Sequence, residues 1–246
     1  MNISVAMASY NGEKYIEDQI NSILCQLHQN DELVISDDGS SDNTLSIINR
    51  FCERDKRIKL YHNKDNGIIK NFENAIKNTV NEIILLCDQD DIWLPNKIER
   101  MVKEFEINPE VTLVISDLQY VDSDLNEVKD ELINRKYKKG ILKNFIKNSY
   151  IGCCMAFNKE IKKTILPFPQ KIPMHDAWIG ILAELFKYKI VYIPEKLILY
   201  RRHENTATTS DRNKLNKIIK WRFYLMLNLV QRCFCIKNIK KGEAVR

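Results

Sequence analysis

Over the first hundred positions, apolar residues come in short unbroken runs, each followed by a stretch where they recur every three or four residues. The runs occupy 3–8, 32–36, 58–61 and 82–87, and the periodic stretches 14–25, 43–51, 69–79 and 95–105. A short apolar run bounded by turn residues marks a buried strand, and a 3.6-residue period marks a helix with one face on a core. The alternation therefore predicts successive βα units and a mostly parallel sheet flanked by helices. A polar cluster closes every strand: 9–12, 37–42, 63–67 and 88–91. In open α/β sheets ligands bind beyond the carboxyl ends of strands, so these four clusters should share one rim.

The second half is less regular. Strand-like segments at 111–116, 150–157, 189–193 and 197–200 surround a charged connection at 122–139 and a helical stretch at 176–187. This predicts a mixed sheet edge. Pro167, Pro169 and Pro173 break any helix between 165 and 174, leaving a loop that could order over a substrate. Beyond it, 214–241 mixes apolar residues at helical spacing with lysine and arginine. Such a tail suits an anionic lipid surface, and equally the protein's own core or a homodimer partner.

Composition narrows the classes. With 246 residues, 44% of them hydrophobic, the chain can bury a full core. The net charge of +5 gathers partly after Asn213 and does not demand nucleic acid, which the acidic rim would repel. No run approaches the ~20 apolar residues that cross a bilayer, and the opening residues lack the segments of a signal peptide. A cytoplasmic protein is expected, with peripheral contact to the inner face of the cytoplasmic membrane if the tail binds lipid. The seven cysteines form no C-x-x-C pair, so neither a zinc ribbon nor a disulfide framework is indicated.

Candidate chemistry centres on Asp88-Gln89-Asp90-Asp91, delivered by the apolar run 83–87. Carboxylates this close repel one another unless a cation lies between them, and Mg²⁺ or Mn²⁺ suits oxygen ligands. The simpler alternative is an acidic turn with Asp91 capping the next helix and Pro95 in its first turn. Asp37-Asp38-Gly39-Ser40-Ser41-Asp42 offers a carboxylate to a base or ribose, or else an Asx-turn with Asp42 as helix cap. Neither G-x-G-x-x-G nor a P-loop is present. Trp93 and Trp178 follow acidic motifs and either stack on a sugar or pack in the core. Gly152 would let backbone approach an acceptor, and Cys153 and Cys154 read as small buried residues.

These stretches resemble the inverting family 2 glycosyltransferases of GT-A fold. The resemblance rests on 4–12, on the Asp-Asp-Gly-Ser-Ser-Asp-Asn-Thr run from Asp37, and on Asp88-Gln89-Asp90. It extends through 66–72, Gly152-Cys153, His175-Asp176-Ala177-Trp178 and Tyr200-Arg201-Arg202-His203, covering about 3–205. It is strongest toward bacterial rhamnosyltransferase-like enzymes of surface polysaccharide synthesis, in which Ser-Asp-Gln-Asp-Asp-Ile-Trp-Leu-Pro precedes Lys-Ile or Lys-Leu. Here Cys87 replaces the first serine, and Ala177 and Glu204 depart from the pattern.

The resemblance implies that Ala8 and Tyr10 line the base pocket, that Asp38 contacts base or ribose, and that Asp88, with Gln89, faces ribose and sugar. Lys70 would lie near the diphosphate. Asp90 would hold the metal, with His203 near the metal or the diphosphate. Asp176 would be the general base, with His175, Trp178, Trp93 and Gly152 on the acceptor side. It divides the chain into a transferase domain at 1–207, with a nucleotide-sugar half at 1–117 and an acceptor half at 118–207, and a tail at 208–246. The expected reaction is inverting transfer of a hexose, plausibly rhamnose, from a dTDP or UDP donor to a saccharide or lipid-linked saccharide. The alternative is a nucleotide-sugar-binding subunit without turnover, against which the intact Asp38, Asp88, Asp90 and Asp176 argue.

Overall fold

The computed structural model describes residues 1–128, 136–202 and 215–243, with side chains over 218–236 in its last helix. Strands β1 (Ile3–Ser9), β2 (Glu32–Asp37), β3 (Ile58–His62) and β4 (Ile83–Asp88) alternate with helices α1 (Ile16–Leu24), α2 (Thr44–Arg54) and α3 (Ile68–Asn78). Then come β5 (Ile92–Trp93), α4 (Lys97–Ile107), β6 (Val111–Val121), α5 (Ile141–Ile146), β7 (Met155–Asn158), α6 (Lys159–Ile165), α7 (His175–Leu185), β8 (Lys189–Arg201) and α8 (Leu215–Glu243). The first four βα units match the predicted alternation, because each apolar run can be covered on both sheet faces only by the helices that follow it.

All eight strands join one sheet in the order β3-β2-β1-β4-β7-β6-β8-β5. β1 pairs in parallel with β2 on one side and β4 on the other, with Ser9 opposite Asp37 and Ala8 opposite Asp88. The first two acidic turns are thereby set on either side of the β1–α1 loop. β7 runs antiparallel to both β4 and β6 and carries the sheet into the second half. The apolar runs predicted at 189–193 and 197–200 form the single strand β8, whose pairing with β6 shifts register between Ser116 and Asp117.

Helix α4 begins at Lys97, later than the sequence predicts, because residues 92–93 are drawn into an antiparallel bridge with Ile198 and Leu199 of β8. Pro95 therefore precedes the helix. Asp91 caps nothing; it is fully buried and its carboxylate accepts the backbone N–H of Arg201 at 3.1 Å. The proline loop does not stand free over the rim. Lys70 and Glu73 of α3 bind the Phe168 carbonyl and amide at 3.1 and 2.9 Å, and Arg232 of α8 binds the carbonyls of Leu166 and Pro167.

Candidate active site

The two strands flanking β1 build the site. Asp37, fully buried, accepts from Ser9 Oγ, Ser40 Oγ and the backbone amides of Gly39 and Ser40 at 2.6–3.0 Å, so it shapes the turn from within. Its neighbour Asp38 is turned the other way. One carboxylate oxygen accepts from Asn63 Nδ2 and the other from the Gly67 amide, both at 2.7 Å, which ties the β2 and β3 turns together. Each oxygen keeps a lone pair for a further donor.

Gln89 clamps the β1–α1 loop. Its amide nitrogen donates to the Tyr10 carbonyl at 2.8 Å and its oxygen accepts the Tyr10 amide at 2.9 Å. Gly12 is needed beneath it, since a Cβ there would fall 2.2 Å from Gln89 Oε1. At this loop the Tyr10 side chain is exposed and Ala8, the strand residue two before it, is buried.

Carboxylates converge beyond β4. Burial, then the charges of Asp90 and Asp176, push the Asp88 pKa up to about 7. Asp91 is also pushed up, by burial and then by Asp90 and Asp88. Asp176 itself, in the first turn of α7, accepts from Asn148 Nδ2 at 3.1 Å. Relative to an aspartate in water this environment disfavours the ionised form of Asp88 by on the order of 4 kcal/mol, which a nearby cation would offset. Among the described residues, Asp88, Asp91 and Cys153 bring a ligand atom each within 4.8 Å of one another. Asp91 Oδ2 is buried without a hydrogen-bond partner. Two hard oxygens suit Mg²⁺ or Mn²⁺, whereas the Cys153 thiol, its pKa well raised by its hydrogen bond with Cys154 and by burial, is a poor ligand for either. The trio contains Asp91 where the sequence pointed to Asp90. The reason is that β5 turns Asp91 inward.

A family model, Glycosyl transferase family 2, matches residues 4–166. The chain belongs to this family. It is 30% identical over 218 residues to the dTDP-rhamnosyl transferase RfbG of Shigella flexneri, covering 83% of this chain and 74% of that one. It spans 65% of a second relative, an uncharacterized glycosyltransferase of Nostoc. Among solved structures it resembles S. aureus TarS 1–349 in complex with UDP-GlcNAc, with a TM-score of 0.70, 19% identity, and coverage of 93% of this chain and 67% of that one. It also resembles glucosyl-3-phosphoglycerate synthase from Mycobacterium tuberculosis with Mn²⁺, UDP and phosphoglyceric acid, with a TM-score of 0.62, 19% identity, and coverage of 94% and 78%. The fold is GT-A.

Several residues of this family 2 glycosyltransferase lie elsewhere than the sequence suggested. Trp93 and Trp178 are core residues, 2% and 0% exposed, and offer no face to a sugar. The Trp178 indole donates to the Ile165 carbonyl at 3.0 Å, and the Trp93 ring lies 4.7 Å from the Lys97 ammonium. Lys70 is paired with Glu73 at 2.5 Å on the proline-loop side of α3. Arg201, in the run that precedes His203, is buried: its Nε donates to the Asp90 carbonyl at 2.9 Å and its guanidinium lies 4.5 Å over the Tyr15 ring. His203 lies outside the described residues.

His175 is buried and stacked on Phe72 at 3.9 Å, and neither ring nitrogen has a partner among the described residues. Gly152 makes room for it, since a Cβ there would fall 2.4 Å from His175 Nε2. Sequence reasoning missed Asp37, Asp91 as a buried acid, and Lys97. The Lys97 ammonium is fully buried, donates to the Cys153 carbonyl at 2.9 Å, and has its pKa lowered by burial. The one signal for Lys97 was a lysine at an apolar phase of its helix, between Trp93 and Met101.

Proposed function

We propose that this protein transfers a hexosyl group, with inversion, from a nucleoside diphosphate sugar to a saccharide or lipid-linked saccharide of bacterial surface polysaccharide. The observation that carries the reading is the convergence of Asp88, Asp90 and Asp91 with Asp176, brought from a different part of the chain to within range of Asp88. Inverting displacement needs positive charge on the departing diphosphate, which clustered carboxylates supply by holding a cation, and a separate carboxylate that takes the acceptor proton.

The donor half is 1–117 and the acceptor half 118–207, with the nucleotide on the rim formed by Asp38, Ala8 and Tyr10. Asp90 is the expected ligand of Mg²⁺ or Mn²⁺, and Asp88 and Asp91, whose carboxylates converge beside it, are further oxygens that would hold the ion. Such an ion, when bound, neutralises the diphosphate that leaves. Asp176 accepts the proton of the acceptor hydroxyl as that oxygen attacks the anomeric carbon. Asn148 holds the carboxylate in position through its 3.1 Å hydrogen bond. Similarity to RfbG supports dTDP-rhamnose as the donor, with UDP-sugars as the competing class.

Purified protein assayed against a panel of nucleotide sugars should turn over one of them, with loss in EDTA and recovery on adding Mn²⁺ or Mg²⁺. Asp176→Asn should lower turnover by a factor on the order of 10² or more while donor affinity stays within a few-fold. Full turnover by the variant would remove Asp176 from the role of base.

A further inference from the structure

Helix α8 has two apolar faces. Leu225 and Leu229 are buried against the protein, Asn228 donates to the Lys171 carbonyl at 2.8 Å, and Arg232 grips the proline loop. Ile219, Phe223, Met226, Leu227, Val230 and Phe234 lie in a stripe about 100° wide on the other side. All six are between 46% and 64% exposed. A helix that only packed on its own domain would carry polar residues there. The stripe also edges an apolar groove of about 250 Å³ against Leu185 of α7.

A second element continues this surface. Arg222 of α8 donates to the carbonyl of Ile146, the last residue of α5, which brings the end of α5, with its exposed Ile146, within side-chain reach of α8. Leu142, one turn earlier on α5, is 78% exposed. Among the described residues, the exposed charges carried by α5 and α8 themselves are of one sign, and Glu184 beside α5 is half-buried, accepting the Gly140 amide at 2.9 Å. Lys136, Lys138, Lys139, Lys143 and Lys147 are exposed about α5, and Lys220 is exposed on α8. No aspartate or glutamate occurs at 136–150 or at 212–242.

We propose that α5 and α8 together form a docking face for the surface of an anionic lipid bilayer. Apolar side chains interleaved with lysines, and no acid between them, are what an interface of acyl chains under anionic headgroups accepts. A second copy fits the face poorly. A two-fold contact sets the patch against a copy of itself, so it would gather the lysines of both copies into one interface with no acid from 136–150 or 212–242 to pair them. Among the described residues no helix is long and apolar enough to cross a membrane, so the contact is with one leaflet. The inference does not depend on which sugar is transferred.

Flotation of the full chain with vesicles tests it, using phosphatidylcholine alone and phosphatidylcholine with phosphatidylglycerol. Binding should favour the anionic vesicles and weaken at least tenfold as salt rises toward molar strength, where the screening length shrinks to about 3 Å. Replacing Lys139, Lys143 and Lys147 with glutamine should lower partitioning on the order of a hundredfold. Phe223→Ser with Val230→Ser should weaken binding to the same vesicles even at low salt. All five positions are exposed, and unchanged melting and donor turnover would show the fold intact. Three results would overturn the proposal: no binding to anionic vesicles at low salt, binding indifferent to the lysine variant, or a dimer in solution that Phe223→Ser with Val230→Ser dissolves.

Discussion

His175 shows how much the fold concedes to hold one side chain. Its ring is 4% exposed, pressed on Phe72 and on the bare backbone of Gly152, and burial lowers its pKa from 6.5 to about 3. The folded value is below the unfolded one, so the neutral ring costs nothing above pH 6.5. As pH falls from 6.5 toward 3, only the unfolded chain takes up the proton. Stability should then drop by about 1.4 kcal/mol per pH unit from this residue alone. Urea unfolding of the protein and of His175→Gln between pH 7.5 and 4.5 checks this, and parallel slopes would refute it. The carboxylates beyond β4 follow a different logic. Burial pushes both Asp88 and Asp91 toward protonation, helped by Asp90 and Asp176 for Asp88 and by Asp90 and Asp88 for Asp91, so a cation bound beside them would favour their charged forms.

At the scale of elements, the loops at strand ends are set by single side chains reaching across the sheet. Gln89 replaces a strand partner for the backbone of Tyr10, forming both hydrogen bonds that a neighbouring chain would have made. Gln89→Ala should free that loop, raising the KM for donor roughly 5- to 30-fold, as two bonds of about 1 kcal/mol each would do, with turnover at saturation nearly unchanged. An unchanged KM would mean the loop is held by other means. The βα units and the acidic rim were legible in the sequence, because apolar runs and turn clusters are local signals. What the sequence hid was long-range pairing. β5 is two residues long and exists only because β8 returns beside it, so the inward turn of Asp91 and the burial of Arg201 could not be read from residues 88–98. The two tryptophans were open between sugar and core, and only packing against α4 and α6 decided for the core.

Across the whole molecule, β4 is the strand on which both halves depend, parallel to β1 on one edge and antiparallel to β7 on the other. The division at 117 falls inside β6, a strand of 11 residues that runs unbroken from 111 to 121. Amide exchange should therefore be slowest in β1 and β4 and should quicken together in both halves under denaturant, as one cooperative unit. Separate unfolding of 1–117 would contradict this. A continuous sheet has no hinge. Where two-lobed enzymes swing shut on their substrates, a continuous sheet leaves any such rearrangement to its loops: the held backbone of 9–12, the turn at 63–67 and the strapped proline loop between α3 and α8. Each of these is anchored by a few hydrogen bonds that can be cut one at a time, and in the turn at 63–67 and the proline loop the acceptors are the carboxylates of Asp38 and Glu73, so there the mobility of the loop and the charge of an acid change together.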